Sequence, residues 1–228
     1  MSRAGPYTPW LFTTMPEPLV SLTQSKPIII CPLETFKSIY LFRNLRFGPI
    51  DRDGSEKRHI CCVCEDSPPA LIRPKTPILF DVLGQIAVED CFLTARGCPR
   101  PANEEPVASC WLQQRPNIVS DLKWRGIIPV IEAIVEEYAV GSEVDTSRLL
   151  TVGPDGKLRL QVIWHGEVGE FGLQLPIFDE LGTEQVPESI SQVPFGVPVH
   201  AVFSIEFVHD RRAGTRTVFA SLFAMLKA

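Results

Sequence analysis

Several short stretches combine residue types able to do chemistry. The first is His59, Cys61, Cys62 and Cys64, an imidazole and three thiols in close succession. In an extended strand, side chains alternate between faces, so His59 and Cys61 point away from Cys62 and Cys64. Tetrahedral zinc takes pairs two to four residues apart in turns or knuckles. Cys62 and Cys64 would need outside help from Cys91, Cys98 or Cys110. The expectation is a metal-free strand, so no metal ligand is assigned.

Two further stretches imitate catalytic or ion-binding signatures and fall short. Trp164-His165-Gly166-Glu167 contains the His-x-Glu half of a zinc deaminase, but that chemistry needs a following Cys pair and no cysteine lies beyond Cys110. His165 is expected at a strand end, meeting solvent or a backbone group. Asp51-Arg52-Asp53-Gly54 lacks the distal glutamate of a calcium loop and reads as a hairpin turn. No Walker loop, dinucleotide fingerprint or nucleophile elbow is present. These absences favour a non-enzymatic protein with no cofactor.

The remaining constellation suits flat, anionic ligands. If Phe36–Phe47 is a strand, Ile39, Leu41, Leu45 and Phe47 share one face with Lys37 and Arg43. Phe36, Ser38, Tyr40, Phe42, Asn44 and Arg46 share the other. Bases stack on aromatic rings inside a basic groove at about 1–3 kcal/mol each. The candidate nucleic-acid-binding set is Tyr40, Phe42 and Arg46, with Lys57 and Arg58 on a return strand and Arg211, Arg212 and Arg216 at a final turn. The same aromatic face suits packing beneath a second layer of protein, and the arginines suit an ordinary charged turn.

Charge is distributed unevenly behind the net −5. Residues 1–75 carry ten basic and seven acidic side chains, whereas 126–209 carry three and thirteen. A basic patch on an acidic protein is what a polyanion would sense. The odd count of seven cysteines, four of them (Cys31, Cys61, Cys62, Cys64) in apolar runs, argues for reduced thiols rather than a disulfide framework. No apolar run approaches the roughly 18–20 residues that span a bilayer, and the first ten residues lack a signal-peptide pattern. A cytoplasmic or nuclear location is expected.

The elements that must position these residues are mostly strands. Residues 1–25, rich in proline, read as an extended or disordered arm with Trp10, Leu11 and Phe12 as a hook; residues 26–228 read as one strand-rich domain. Strands are expected at 27–31, 36–47 and 57–65, and a pair at 77–82 and 85–94 turns at Gly84. A hairpin joins 149–152 to 157–164 through Gly153-Pro154-Asp155-Gly156, and a long hairpin joins 197–209 to 216–226. In the second strand of the shorter hairpin Leu158, Leu160, Val162 and Trp164 face inward, and Lys157, Arg159 and Gln161 outward. Val218–Lys227 tolerates helix as well. One helix is expected near 129–140, with Pro129 in its first position, or from Ser120 or Asp121 with a kink at that proline.

Eight to ten strands around one helix describe a mainly β fold, either an elaborated antiparallel barrel (OB-like) or a β-sandwich or jelly roll. The functional expectation is single-stranded nucleic-acid binding, DNA or RNA, through the aromatic and basic strand face. The alternative is a self-assembly or protein-interaction module without nucleic-acid binding. Homo-oligomers would form through the N-terminal arm or edge strands, with no membrane partner.

Overall fold

The computed structural model describes residues 29–33, 45–49, 58–63, 75–98, 107–115, 118–139, 143–165, 168–169, 172–210 and 215–228. The arm at 1–25, Tyr40, Phe42, Lys57, Cys64, Arg211 and Arg212 lie outside these residues. The strands are β1 (Ile29–Pro32), β2 (Leu45–Pro49), β3 (Arg58–Val63), β4 (Lys75–Ile86), β5 (Ala108–Gln113), β6 (Leu150–Val152), β7 (Leu158–Trp164), β8 (Val168–Gly169), β9 (Gly172–Leu173), β10 (Ile177–Phe178), β11 (Pro198–Asp210) and β12 (Thr215–Lys227). One helix, α1 (Ile118–Ala139), separates β5 from β6.

Five of these strands close on themselves. β4 pairs with β5, β5 with β7, β7 with β12, β12 with β11, and β11 returns to β4. Counted along the chain, the ring runs first, second, third, fifth, fourth and back to first. Closure removes the exposed edges that a sandwich of this size would leave. Among the described residues the protein is mainly β with one α-helix, built on a small five-stranded barrel of the oligonucleotide-binding type. The pairings are not all antiparallel: β7–β12 closes the ring in parallel, and β1–β4 and β10–β12 are parallel outside it.

Alternation fills the barrel. Ile78, Phe80, Val82 and Ile86 of β4, Ala108, Cys110 and Leu112 of β5, Leu160 and Val162 of β7, and Phe203, Ile205 and Phe207 of β11 are all buried in one cluster. In β12 an extra residue opposite the Val202/Phe203 step shifts the register. Val218, Ala220 and Leu222 face the core before it, and Met225 after it. Ala224 and Leu226 thereby turn to a second cluster with Leu79 and Val202, covered by Phe178. A single bulge switches which face of the strand is inside.

Several expectations need correction. Gly84 is not a turn: β4 runs straight through it, and the anticipated pair at 77–82 and 85–94 is one long strand followed by a connection. The helix takes the earlier of its two expected starts, running from Ile118 with Pro129 inside, because Trp124 and Ile127 extend its buried stripe beyond Val130, Ile131 and Ile134. Burying each such side chain stabilises by roughly 1.5–3 kcal/mol, which together offsets the ~3 kcal/mol an internal proline costs. Of the two states open to residues 218–227, strand is the one adopted, as the expected hairpin requires, since β11 and β7 both pair with them. Arg159, expected on the wet face, is 5% exposed. β5 was not anticipated at all.

Two hairpins are as expected. β6 and β7 pair across the Gly153–Gly156 turn, and β11 and β12 form the long closing hairpin. β2 and β3 pair antiparallel from Leu45 opposite Cys62 to Pro49 opposite Arg58, which places Cys61 and Cys62 in regular strand.

Candidate nucleic-acid interface

The outer face of β5 and β7 is where this barrel presents its most informative side chains. With Cys110 and Leu112 inside, Ser109, Trp111 and Gln113 must point out; with Leu160 and Val162 inside, so must Arg159, Gln161 and Ile163. Register sets Trp111 opposite Gln161, Gln113 opposite Arg159 and Ser109 opposite Ile163. Trp111 and Gln161 are half-buried, so each shows part of its surface to solvent. A flat indole beside amides able to donate and accept can stack on a ring and bond its edge.

Two connections frame this face. The segment after β4 runs beside β5: the amides of Ala87, Phe92 and Cys98 donate to the carbonyls of Trp111, Ser109 and Val107. Glu89 in this segment meets the Arg159 guanidinium at 3.3 Å, and Asp155 in the β6–β7 turn meets it at 3.5 Å. Gly153 makes room for that guanidinium, because a Cβ there would sit 2.3 Å from Arg159 Nε. Arg159 therefore clamps a connection and a turn onto the barrel. Among the described residues, its buried Nε and the buried Oε1 of Gln113 across the strand pair have no hydrogen-bond partner.

His165 ends β7 as an exposed residue, its ring edge-on to Phe219 with centroids 5.7 Å apart. It is exposed at the end of the strand, as expected, and in addition meets an aromatic ring. Among the described residues no group of three or more His, Cys, Asp or Glu is placed to hold a metal ion.

Of the candidate nucleic-acid-binding set, Arg216 alone has a described side chain. Its guanidinium carbon lies 5.8 Å from the Tyr138 ring centroid, and Tyr138 stacks on Phe207 at 3.9 Å. That position ties Arg216 to the end of α1. The backbone registers of the other residues are informative. Arg58 pairs with Phe207 on one side of β11, and Arg216 pairs with His209 on the other. Arg211 and Arg212 follow in the sequence that joins β11 to β12. Arg58 and Arg216 therefore flank the same end of β11. Arg46 lies further along the β2–β3 hairpin, opposite Cys61.

Trp111, Gln113 and Gln161 were missed. For Trp111 and Gln113 the signal was the alternation Ala108-Ser-Cys-Trp-Leu-Gln113, small or apolar residues at every second position, whereas Gln161 was read as outward but not as part of a site. The loop composition just before it and the helix just after obscured that six-residue strand.

The chain is thus a five-stranded barrel with an aromatic and amide-bearing outer face. No protein-family model matches the chain, and no curated protein matches it. Among solved structures, the chain is similar to the single-stranded DNA-binding protein from bacteriophage Enc34 in complex with ssDNA. The TM-score is 0.47 and the identity 16%, over 66% of this chain and 85% of that one. A C-terminal truncation of the same phage protein gives a TM-score of 0.45 and 14% identity over 80% and 94%. The protein gp2.5, a single-stranded DNA-binding protein encoded by bacteriophage T7, gives 0.40 and 15% over 65% and 85%.

Proposed function

We propose that this protein binds single-stranded nucleic acid across the outer face of β5 and β7. One observation carries the reading: register sets the outward Trp111 beside Gln161 on neighbouring strands of a closed five-stranded barrel. Barrels of this type bind oligonucleotides on their second and third strands and on the loops after the first and fourth. β5 and β7 are the second and third here, and Arg211 and Arg212 fall in the loop after the fourth. In this reading Trp111 stacks on a base, Gln161 bonds its edge, and Arg211, Arg212 and Arg216 with Lys57 and Arg58 attract the phosphates. Tyr40 and Phe42 are proposed to stack on further bases and Arg46 to attract phosphate.

The test is a fluorescence titration with unstructured DNA and RNA oligonucleotides at two salt concentrations. Affinity should fall with rising salt, because phosphate neutralisation releases counterions. Trp111→Ala should weaken binding by about 1–3 kcal/mol. Wild-type protein that binds neither oligonucleotide at low salt overturns the reading. Self-association without nucleic-acid binding then takes its place.

A further inference from the structure

We propose that Arg159 is a phosphate-binding residue of the outer face and that Glu89 keeps it occupied, a carboxylate latch that a phosphate of the nucleic acid displaces. This rests on the nucleic-acid reading above and deepens it by naming the cation beside the stacking position and the contact that competes for it. Alternation puts Arg159 on the same outer face of β7 as Gln161, about 7 Å along the strand. Register sets the two opposite Gln113 and Trp111. A phosphate flanking a base stacked on Trp111 is thus within reach of this guanidinium. Yet Arg159 is 5% exposed, and the groups that meet its charge are carboxylates of the protein itself.

The pairing is loose for so buried a cation. Charge-assisted contacts of this kind close to about 2.7–2.9 Å, whereas Nη1 meets Glu89 at 3.3 Å and Nη2 meets Asp155 at 3.5 Å. Among the described residues the buried Nε has no hydrogen-bond partner. The two carboxylates are not alike. Asp155 also meets Lys157 Nζ at 3.1 Å and accepts from the Lys157 amide at 3.3 Å, so its own turn anchors it. Glu89 is 57% exposed at its side chain and belongs to a turn that stands off the barrel. That turn is pinned where the amides of Ala87 and Phe92 donate to the carbonyls of Trp111 and Ser109. Between those bonds Val88, Glu89 and Asp90 are all exposed, and Asp90 holds a left-handed φ of 50°. Glu89 can therefore swing into water while the backbone on both sides keeps its bonds. A phosphodiester then offers the guanidinium anionic oxygens in the planar fork geometry it favours.

The experiment is a titration with an oligothymidylate of about 15 nucleotides, within the ~4–16 that a single barrel of this kind covers. Glu89→Gln should bind about two- to fivefold tighter than wild type, the worth of a partly exposed ion pair. Asp90→Asn removes an acid from the same turn and tolerates its backbone conformation, so it reports the general loss of a negative charge and should gain less. Arg159→Met should make the log K against log salt slope shallower by about 0.7, for one phosphate left without its cation. On that background Glu89→Gln should gain no more than Asp90→Asn. A gain for Glu89→Gln no larger than that of Asp90→Asn, an excess gain that persists without Arg159, or an unchanged slope for Arg159→Met overturns the latch while leaving the barrel face intact. If Arg159→Met does not fold, the two turn variants compared in the presence of Arg159 decide alone. Wild-type protein that binds no oligothymidylate at low salt removes the nucleic-acid reading itself.

Discussion

Trp124 occupies the space that a side chain at Gly84 would need. A Cβ on Gly84 would come within 3.0 Å of Trp124 Cζ2 and 3.1 Å of the Gln113 carbonyl oxygen. The glycine is thus a seat for the helix: it lets an indole close one end of the barrel against the backbone of β4 and β5. Gly84→Ala should destabilise by about 1–3 kcal/mol through overpacking. Trp124→Ala should cost about 3–5 kcal/mol through the cavity it leaves. Urea denaturation of both variants checks this, and near-wild-type midpoints would show that the helix seats elsewhere.

The outer face should behave differently from that seat. Replacing Trp111 and Gln161 together by alanine should weaken oligonucleotide binding, while urea unfolding shows a loss far smaller than that of Trp124→Ala. Both side chains are half-buried on the wet side of their strands, so their removal opens no closed cavity. A stability loss matching that of Trp124→Ala would place Trp111 in a core.

Arg159→Met should release the connection after β4. Glu89 and Asp155 are 57% and 37% exposed at their side chains, so water can solvate them once the guanidinium is gone. The expected stability loss is therefore modest, about 1–2 kcal/mol, well short of a fully buried broken pair. Hydrogen exchange should quicken at residues 87–92 more than in β11, and uniform exchange would contradict the clamp.

Two buried thiols should resist modification in the native state. Burial pushes the thiol of Cys91 up, and that of Cys110 well up, the latter also raised by the neighbouring Cys91. The thiolate is the reactive form. Brief alkylation at pH 8 followed by mass spectrometry should find both unmodified until denaturant is added. Rapid labelling of Cys110 in folded protein would contradict its burial.

Acid should loosen the turn that follows β10. Hydrogen bonds from the amides of Thr183 and Leu181 and from the side chain of Gln185 hold the Asp179 carboxyl below its ordinary range. A depressed carboxyl contributes its stabilisation above the unfolded value and loses it as pH falls through the folded one. Wild-type exchange at residues 181–185 should stay slow down to about pH 4 and quicken below it. Asp179→Asn should show little of that acid step, and an identical step in both proteins would assign it elsewhere.

How much was legible in the sequence depended on the range of the cause. The Gly153–Gly156 and Asp210–Thr215 turns announced their hairpins because turn chemistry is local, and the stripe from Val130 to Tyr138 announced its helix for the same reason. Alternation likewise marked β7 and β11 as half-buried strands. Ring closure could not be read this way: it depends on β12 meeting β7 in parallel, a pairing between segments over fifty residues apart whose side chains carry no mark of their partner. The same distance misled the reading of Gly84, whose reason for being glycine is a tryptophan forty positions away. Arg159 followed suit, its alternation correctly outward and its burial completed by the connection that carries Glu89, about seventy positions away. Local composition determined a strand-rich chain with one helix. Only tertiary contact decided which strands share a barrel and that the face carrying Trp111 lies outside it, because side-chain direction is set within a strand but burial is set by what arrives from elsewhere.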